Sequence, residues 1–397
     1  MTGESIIYFN KEWGENTTSA DHVFEQLCRH NKVMWVNSIA MRNPNLGSAH
    51  DWGRIYKKVR KLLGGLRQMG PNAWLYQPFF IPLPFSKRAQ TLNRRLLRWS
   101  LRRQARKLGM KNPQLWTFLP SAVYMIGELD ESVVVYYCID AWTKFVHLDG
   151  GSIAPLEDEL IRKADVCFAS AESILESLKA RNPNTYLSRH GVDFEVFARA
   201  SDPATVVPDD IARLPKPVIG FFGGLREHID FDLLVAIARR HPEWSLVLLG
   251  LVQVNVDMLR ALPNVHILGS RKYQELPAYC KGFDASIIPY LRNEFTEHVN
   301  PIKLRQYLCA GLPTIATAIP ETLEYAHVAS VCETHDEFIA AIEHELAADS
   351  PERRAARRET MRSESWEGKV AVVCERVMAA KEERQIKNQK SKIKSEK

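Results

Sequence analysis

The residues best suited to chemistry lie in residues 289–321, which read PYLRNEFTEHVNPIKLRQYLCAGLPTIATAIPE. This pattern predicts a strand end, a polar loop, an amphipathic helix and a buried strand. Lys303 falls just inside the predicted helix, after Asn300 and Pro301. A helix start offers free backbone N–H groups and the positive end of the helix dipole, so these groups and the lysine favour the same ligand charge. The segment therefore predicts a diphosphate site at the mouth of an α/β sheet.

A second candidate for phosphate binding is the glycine turn in PVIGFFGGL, formed by Gly223 and Gly224. A turn without Cβ atoms lets the backbone approach a phosphate closely. A tight strand-to-helix turn needs the same glycines for structural reasons alone, so both roles stay open. Arg226 follows two residues later and is the nearest cation.

Length and periodicity predict two α/β domains. A chain of 397 residues is too long for one ordinary core. Strand-like apolar runs alternate with amphipathic stretches, as in parallel sheets. We expect one domain over residues 1–197, a linker over 198–217 and a second domain over 218–362, with the ligand in a cleft between them. A helix near 363–381 should pack back on the first domain, and the basic residues 382–397 should be disordered.

The composition excludes several classes of protein. The seven cysteines are scattered and never spaced C-x-x-C, which indicates reduced thiols and argues against a zinc site or a disulfide scaffold. No apolar run approaches ~18 residues, and the N-terminus lacks the pattern of a signal peptide. We therefore expect a cytoplasmic protein.

Positive charge is concentrated in the first half. No acidic residue occurs between Asp51 and Glu128, where there are 16 lysines and arginines. Residues 88–108 have helical periodicity, with leucines on one face. The basic and aromatic side chains expected to face an anionic membrane are Arg94, Arg95, Arg98, Trp99 and Arg102. A solvated basic face is the alternative. Nucleic acid is set aside, because no helix-turn-helix, zinc or RNP motif is present.

Several of these segments resemble a known family. FGGL, IIPY, NPIKLRQYLCAGLPTIAT and the closing PE resemble the nucleotide-sugar half of GT-B glycosyltransferases, and YYCIDAW and SRHGVDFEVF resemble their N-terminal half. The likeness is to family-4-like bacterial enzymes of exopolysaccharide and cell-wall glycan synthesis, and to the glucuronosyltransferases of xanthan assembly. It implies the α/β GT-B fold, with two Rossmann-like domains facing a central cleft.

The resemblance assigns roles to several residues of the 289–321 segment. Lys303 matches the lysine that contacts the donor diphosphate, and Gln306 stands where most members have a ribose-binding glutamate. Pro301 and Tyr307 flank them in the same donor site. The chain also departs from the family pattern. Gly224 and Ile229 replace an Arg and a Lys, and His298 and Gln306 replace the paired glutamates, with Glu294 and Glu297 nearby. Retention and inversion therefore both stay open.

An inverting enzyme needs a general base, for which Asp140 is the first candidate. It follows the buried strand VVVYYCID at the edge where catalytic groups collect. Partial desolvation by Tyr137 and Trp142 would raise its pKa. A capping role is the structural alternative. The rival bases follow the first strand and are Glu12, Glu15, Asp21 and His22.

Two further motifs are ambiguous. His190, before Gly191, is placed to contact ligand or to serve a structural role. The D-x-D of Asp230 and Asp232 resembles a metal-binding motif, but it opens a helix, so capping is favoured and no metal is expected.

The predicted reaction moves a sugar from a UDP or GDP donor to a hydroxyl acceptor. We expect no cofactor, a polyprenyl-linked saccharide as acceptor, and peripheral attachment to the inner face of the cell membrane. A GT-B nucleotide-sugar epimerase and a non-catalytic polyanion- or membrane-binding protein remain the alternatives.

Overall fold

The computed structural model describes residues 1–14, 18–37, 65–79, 87–140, 142 and 150–395, which form two α/β units. The first unit consists of Met1–Arg189 with Lys369–Lys397, and the second of His190–Gly368. Residues 198–217, expected to be a linker, belong to the second unit. There the side chain of Ile211 is buried and contacts the helix Leu276–Gly282 near Gly282.

The first unit is built on an eight-stranded sheet within the described residues, in the order β3-β4-β2-β1-β5-β6-β7-β8. All neighbouring strands are parallel except β3 and β4. The strand order reverses between β1 and β5. The carboxyl ends of these two strands are therefore the expected ligand side of the sheet. The strands are β1 Ser5–Asn10, β2 Lys32–Asn37, β3 Leu66–Gly70, β4 Ala73–Tyr76, β5 Gln114–Thr117, β6 Val133–Cys138, β7 Val166–Ala169 and β8 Thr185–Leu187.

Helices cover both faces of this sheet, which explains why central strands such as β6 are buried at every position. Tyr8 shows how one helix is fixed, because its hydroxyl donates to the carbonyl of Ala20 at 2.5 Å. The helices of this unit are Ser19–Cys28, Lys87–Lys107, Gly150–Lys163 and Glu172–Lys179, with a 3-10 helix at Pro120–Met125.

The C-terminal helix Trp366–Ser395 returns the chain to the first unit. Its buried stripe is formed by Val370, Val373, Cys374, Val377 and Ala380. Lys381 pairs with Glu4 at 2.7 Å, and Arg384 pairs with Asp165 at 2.5 Å. The expectation of a disordered segment from residue 382 was wrong, since the helix continues to Ser395. The ion pairs of Lys381 and Arg384 hold the first turn beyond Ala380.

The second unit contains a six-stranded parallel sheet within the described residues, in the order β11-β10-β9-β12-β13-β14. Close packing shows at Gly220 of β9, where a Cβ would lie 2.1 Å from the Phe283 ring. The strands are β9 Val218–Phe222, β10 Ser245–Leu249, β11 Val265–Ile267, β12 Ala285–Ile288, β13 Thr314–Thr317 and β14 Ser330–Cys332.

Short helices connect these strands. The helix Pro351–Thr360 was not predicted, although Ser350 accepts from the backbone N–H of Arg353 and Pro351 occupies the first helical position. The other helices are Phe194–Phe197, Asp209–Ala212, Phe231–Arg240, Asp257–Arg260, Leu276–Gly282, Ile302–Cys309, Pro320–Leu323 and His335–Ala348, with 3-10 helices at Ala198–Ser201, Tyr273–Glu275, Thr296–His298 and Arg362–Glu364.

Candidate functional site

The ammonium group of Lys303 lies at the carboxyl end of β9. It donates to the hydroxyl of Tyr290 at 2.5 Å and lies 5.1 Å from the centre of the Phe221 ring. A Cβ added to Gly223 would be 2.9 Å from Nζ, so the ammonium rests against this glycine. The two strongest sequence candidates, the glycine turn and the lysine, are thus brought together.

The glycine turn is tight because two backbone segments, one with Gly223 and Gly224 and one with Gly250, meet there. Gly223 has φ +143° and Gly250 has φ +159°, conformations that side-chain-bearing residues rarely adopt. A Cβ on Gly250 would overlap the carbonyl oxygen of Gly223 at 1.8 Å. A Cβ on Gly224 would lie 3.1 Å from Nε of Arg226, which is hydrogen-bonded to Gln253. Arg226 therefore lies beside the same turn.

The helix Ile302–Cys309 is held in place by a buried polar network. Arg305 is fully buried and donates from Nη1 to the side-chain oxygen of Asn300 at 2.7 Å. Asn300 in turn donates to the buried carboxylate of Glu321 at 2.8 Å. Arg305 also reaches the carboxylate of Glu364 at 3.4 Å. These contacts fix the Asn300–Pro301 turn and hence the start of the helix that carries Lys303.

Tyr307 and Gln306, both predicted to contact the donor, lie on the helix Ile302–Cys309. The hydroxyl of Tyr307 accepts from the backbone N–H of Phe222 at 2.8 Å, and its side chain is fully buried. Tyr307 therefore supports the end of β9, and its expected role as a ligand contact was wrong. Gln306 is buried on the same helix, one turn from Lys303.

Two residues beside Lys303, His228 and Tyr290, were not among the predicted site residues. The ring of His228 meets the Tyr290 ring edge-on at 4.9 Å and lies 5.6 Å from Phe295. Burial, reinforced by the charges of Lys303 and Arg226, lowers the pKa of His228 to about 4. The imidazole is therefore neutral near pH 7 and offers uncharged hydrogen bonding beside two cations. The signal for Tyr290 was its position two residues after β12, at the edge that also holds Gly223.

Asp230 caps the helix Phe231–Arg240. Its Oδ1 accepts from the backbone N–H of Leu233 at 2.9 Å, and its Oδ2 lies 2.8 Å from Nε2 of His335. This is the capping role that the sequence favoured over the D-x-D reading.

In the first unit, Asp140 lies two residues beyond β6 and is half-buried. The carbonyl oxygens of Ile139 and Asp140 accept from Ser170 at 2.9 Å and from the Cys138 thiol at 3.2 Å. Tyr137, expected to desolvate Asp140, instead stacks on Phe118 at 5.0 Å, and its hydroxyl donates to Ser188. Asp140 remains the acid at the carboxyl end of β6.

The alternative candidates for the general base lie near the end of β1. Burial lowers the pKa of His22 to about 4, and Asp21 accepts from the Thr18 hydroxyl at 2.6 Å as a helix cap. Glu15 lies outside the described residues. Asn10, at the end of β1, was not among the predicted site residues. It is 2 % exposed, and its amide nitrogen has no hydrogen-bond partner among the described residues. His190, in the second unit, packs 6.3 Å from the Trp366 ring.

The basic helix Lys87–Lys107 differs from its predicted form. Arg94 and Arg98 pair with Glu128, and Arg102 pairs with Asp130 at 2.8 Å. Arg94 and Arg98 keep 57 % and 51 % of their side chains exposed despite these pairs, so the membrane face stays a prediction. The exposed surface of the helix also carries Arg95 and Trp99, the latter 66 % exposed, together with Leu92, which is 47 % exposed. Among the described helices, none is long and apolar enough to cross a membrane.

Comparison with solved structures supports the two-unit architecture. The chain is similar to a structure described as trehalose-6-phosphate from E. coli bound with UDP-2-fluoro glucose, at a TM-score of 0.66 and 11% identity over 95% of this chain and 99% of that one. It is also similar to a sucrose-phosphate synthase from Thermosynechococcus elongatus, at a TM-score of 0.62 and 14% identity over 99% and 100%. These likenesses define a protein of GT-B fold.

Sequence comparison shows a similarity to glycosyltransferases. Residues 216–348 match the family model described as glycosyl transferases group 1. The chain is 27% identical over 277 residues to the "Putative teichuronic acid biosynthesis glycosyltransferase TuaH" of Bacillus subtilis (strain 168), covering 64% of this chain and 68% of that protein. The chain therefore has the GT-B fold and resembles bacterial glycosyltransferases, with the group 1 match lying in its second unit.

Proposed function

We propose that the protein is a glycosyltransferase, which moves a sugar from a UDP- or GDP-linked donor to a hydroxyl group of a cell-surface glycan precursor. The observation that carries the proposal is the contact of the Lys303 ammonium with the Gly223 turn. A cation, a backbone turn without Cβ atoms and a helix start together suit a nucleoside diphosphate. The structure bound with UDP-2-fluoro glucose, similar in fold, is compatible with this donor class.

In the proposed reaction, the bond between the sugar C1 and the diphosphate oxygen breaks as the acceptor oxygen attacks C1. Lys303 and Arg226 stabilise the charge that develops on the departing diphosphate. No metal or cofactor is needed for this step, because two cations and helix amides supply the countercharge. The acceptor hydroxyl loses its proton to Asp140, which we propose as the general base of an inverting reaction.

The acceptor is proposed to be a polyprenyl-linked saccharide at the inner face of the cell membrane. The similar Bacillus protein is named for teichuronic acid biosynthesis, which favours a bacterial cell-wall glycan. The exposed face of the helix Lys87–Lys107 places Leu92 and Trp99 beside Arg95. Apolar side chains flanked by basic ones suit peripheral binding to anionic lipid.

The proposal is tested by incubating the protein with UDP- and GDP-sugars, with and without polyprenyl-diphosphate saccharides. Sugar transfer that requires the lipid-linked acceptor is the expected result. Conversion of the donor sugar without acceptor would identify an epimerase instead. Absence of stabilisation by either UDP or GDP in thermal unfolding would favour a non-catalytic binding protein.

A further inference from the structure

The last three turns of the C-terminal helix extend beyond its contacts with the first unit. The buried stripe ends at Ala380, and the final ion pairs are those of Lys381 and Arg384. Every residue from 385 to 391 is exposed. None of the described side chains from residue 385 onward makes a hydrogen bond or ion pair. A helix of this length is marginal in water without packing, so a stable extension needs a partner.

The extension is amphipathic and basic. Ile386 is 51 % exposed and Ile393 is 56 % exposed. They lie two turns apart, on a face rotated by roughly 160° from Val370 of the buried stripe, so both point away from the first unit. Lys387 and Lys390 flank this face. Residues 385–397 contain five lysines and one glutamate.

We infer that residues 385–395 dock on an anionic lipid surface, with both isoleucines in the interface and the lysines among the headgroups. Charge complementarity identifies the occupant, because an anionic bilayer satisfies both the basic residues and the apolar pair. A coiled-coil partner fits poorly, since the intervening position Gln389 is polar. Nucleic acid would use the lysines but leave the isoleucines without a role.

This extension is a second membrane contact of the first unit. The loop of residues 127–132 links it to the basic helix, because Glu128 pairs with Arg94 and Arg98, while Glu131 pairs with Arg384 at 3.4 Å. Two weak contacts on the same unit bind more tightly than either alone. The biological purpose rests on the proposed membrane-bound acceptor, but binding itself is independent of sugar transfer.

The test uses the full chain and vesicles of phosphatidylglycerol and phosphatidylcholine in equal parts, with phosphatidylcholine vesicles as reference. Replacing both isoleucines (Ile386→Asn with Ile393→Asn) should lower vesicle partitioning roughly tenfold, because it removes the apolar contact. Lys387→Gln and Lys390→Gln should each lower it roughly fivefold. Val372→Asn is the matched control: Val372 is 56 % exposed on the same helix but lies before the extension. Its partitioning should stay unchanged.

Hydrogen exchange provides the readout on the segment itself. Amides 385–395 should gain protection with anionic vesicles and not with phosphatidylcholine alone. Equal partitioning of the isoleucine variant and the unmodified chain would overturn the inference. Protection by duplex DNA but not by vesicles would overturn it in favour of nucleic acid. UDP-induced thermal stabilisation, measured in parallel, separates the two proposals: its absence would count against the donor site and leave the vesicle result standing.

Discussion

Gly223 and Lys303, eighty positions apart in the chain, are in contact: a Cβ on the glycine would lie 2.9 Å from the lysine Nζ. The positive φ of Gly223 and the hydroxyl of Tyr290 define this position from two sides. The glycine is therefore required both by its backbone conformation and by the space that the ammonium occupies.

Gly223→Ala should weaken UDP binding roughly tenfold by displacing the ammonium. It should also lower the free energy of unfolding by about 1–2 kcal/mol, because alanine is strained at this φ. Gly127→Ala is the control, since Gly127 has φ +81° but no atom within 4 Å of an added Cβ. Calorimetry should show a loss of UDP affinity in the Gly223 variant alone. A similar loss in both variants would contradict the proposed contact.

Tyr290→Phe removes the hydroxyl that accepts from Lys303 and keeps the ring that faces His228. The lysine then loses one of its fixed contacts, so donor affinity should fall by about 1 kcal/mol, or roughly fivefold. KM and kcat are then measured with the active donor sugar. A raised KM would show that the hydroxyl positions Lys303 for donor binding. An unchanged KM with lowered thermal stability would show that the hydroxyl serves only the fold.

Acid should destabilise the protein through two histidines that are neutral in the folded state, His22 and His228. Burial lowers the pKa of both His22 and His228 to about 4, so between about pH 6.5 and 4 the unfolded chain binds more protons than the folded one. Stability from each is present above this window and is lost as the pH falls through it, by up to about 3 kcal/mol. His228→Gln should therefore lose less stability than the unmodified chain between pH 7 and 5 in urea unfolding. Identical losses would argue against a neutral His228.

Arg95, which has no ion pair among the described residues, should matter more for lipid binding than Arg98, which is paired although its side chain is 51 % exposed. Arg95→Gln should lower partitioning to anionic vesicles roughly fivefold, as removal of one charge at the surface predicts. Arg98→Gln, its matched control, removes a side chain that pairs with Glu128 at 3.2 Å and should change partitioning little. Equal effects of both substitutions would mean that this helix binds lipid through its net charge alone.

The sequence predicted the repeating local patterns well. β1 occupies the residues expected from the apolar run Ser5–Asn10, and Leu97 and Leu101 of the basic helix are buried as their periodicity indicated. Glycine and lysine chemistry also singled out two segments of the second unit that lie together at the carboxyl end of β9. These features follow from local spacing, which a sequence displays directly.

Long-range pairing was not predictable from the same patterns. Glu128 is the first acidic residue after the acid-free stretch, and in the structure it forms ion pairs with Arg94 and Arg98 of that stretch. The hydroxyl of Tyr307 accepts from the backbone N–H of Phe222 at the end of β9. His228, in a different loop, lies close enough to Lys303 for the lysine charge to lower the pKa of its imidazole. Each of these contacts joins residues that are tens of positions apart, so no periodicity or motif reports them.

The central claim is that Lys303 binds the diphosphate of a nucleotide-sugar donor. Calorimetric titration of UDP and GDP into the unmodified chain, Lys303→Ala and the exposed control Lys272→Ala tests it most directly. One nucleotide should bind the unmodified chain and the control equally, and bind Lys303→Ala roughly tenfold to a hundredfold more weakly, because a charge-assisted contact is lost. Far-ultraviolet circular dichroism should show the same fold in all three. Undiminished nucleotide affinity in Lys303→Ala would contradict the account.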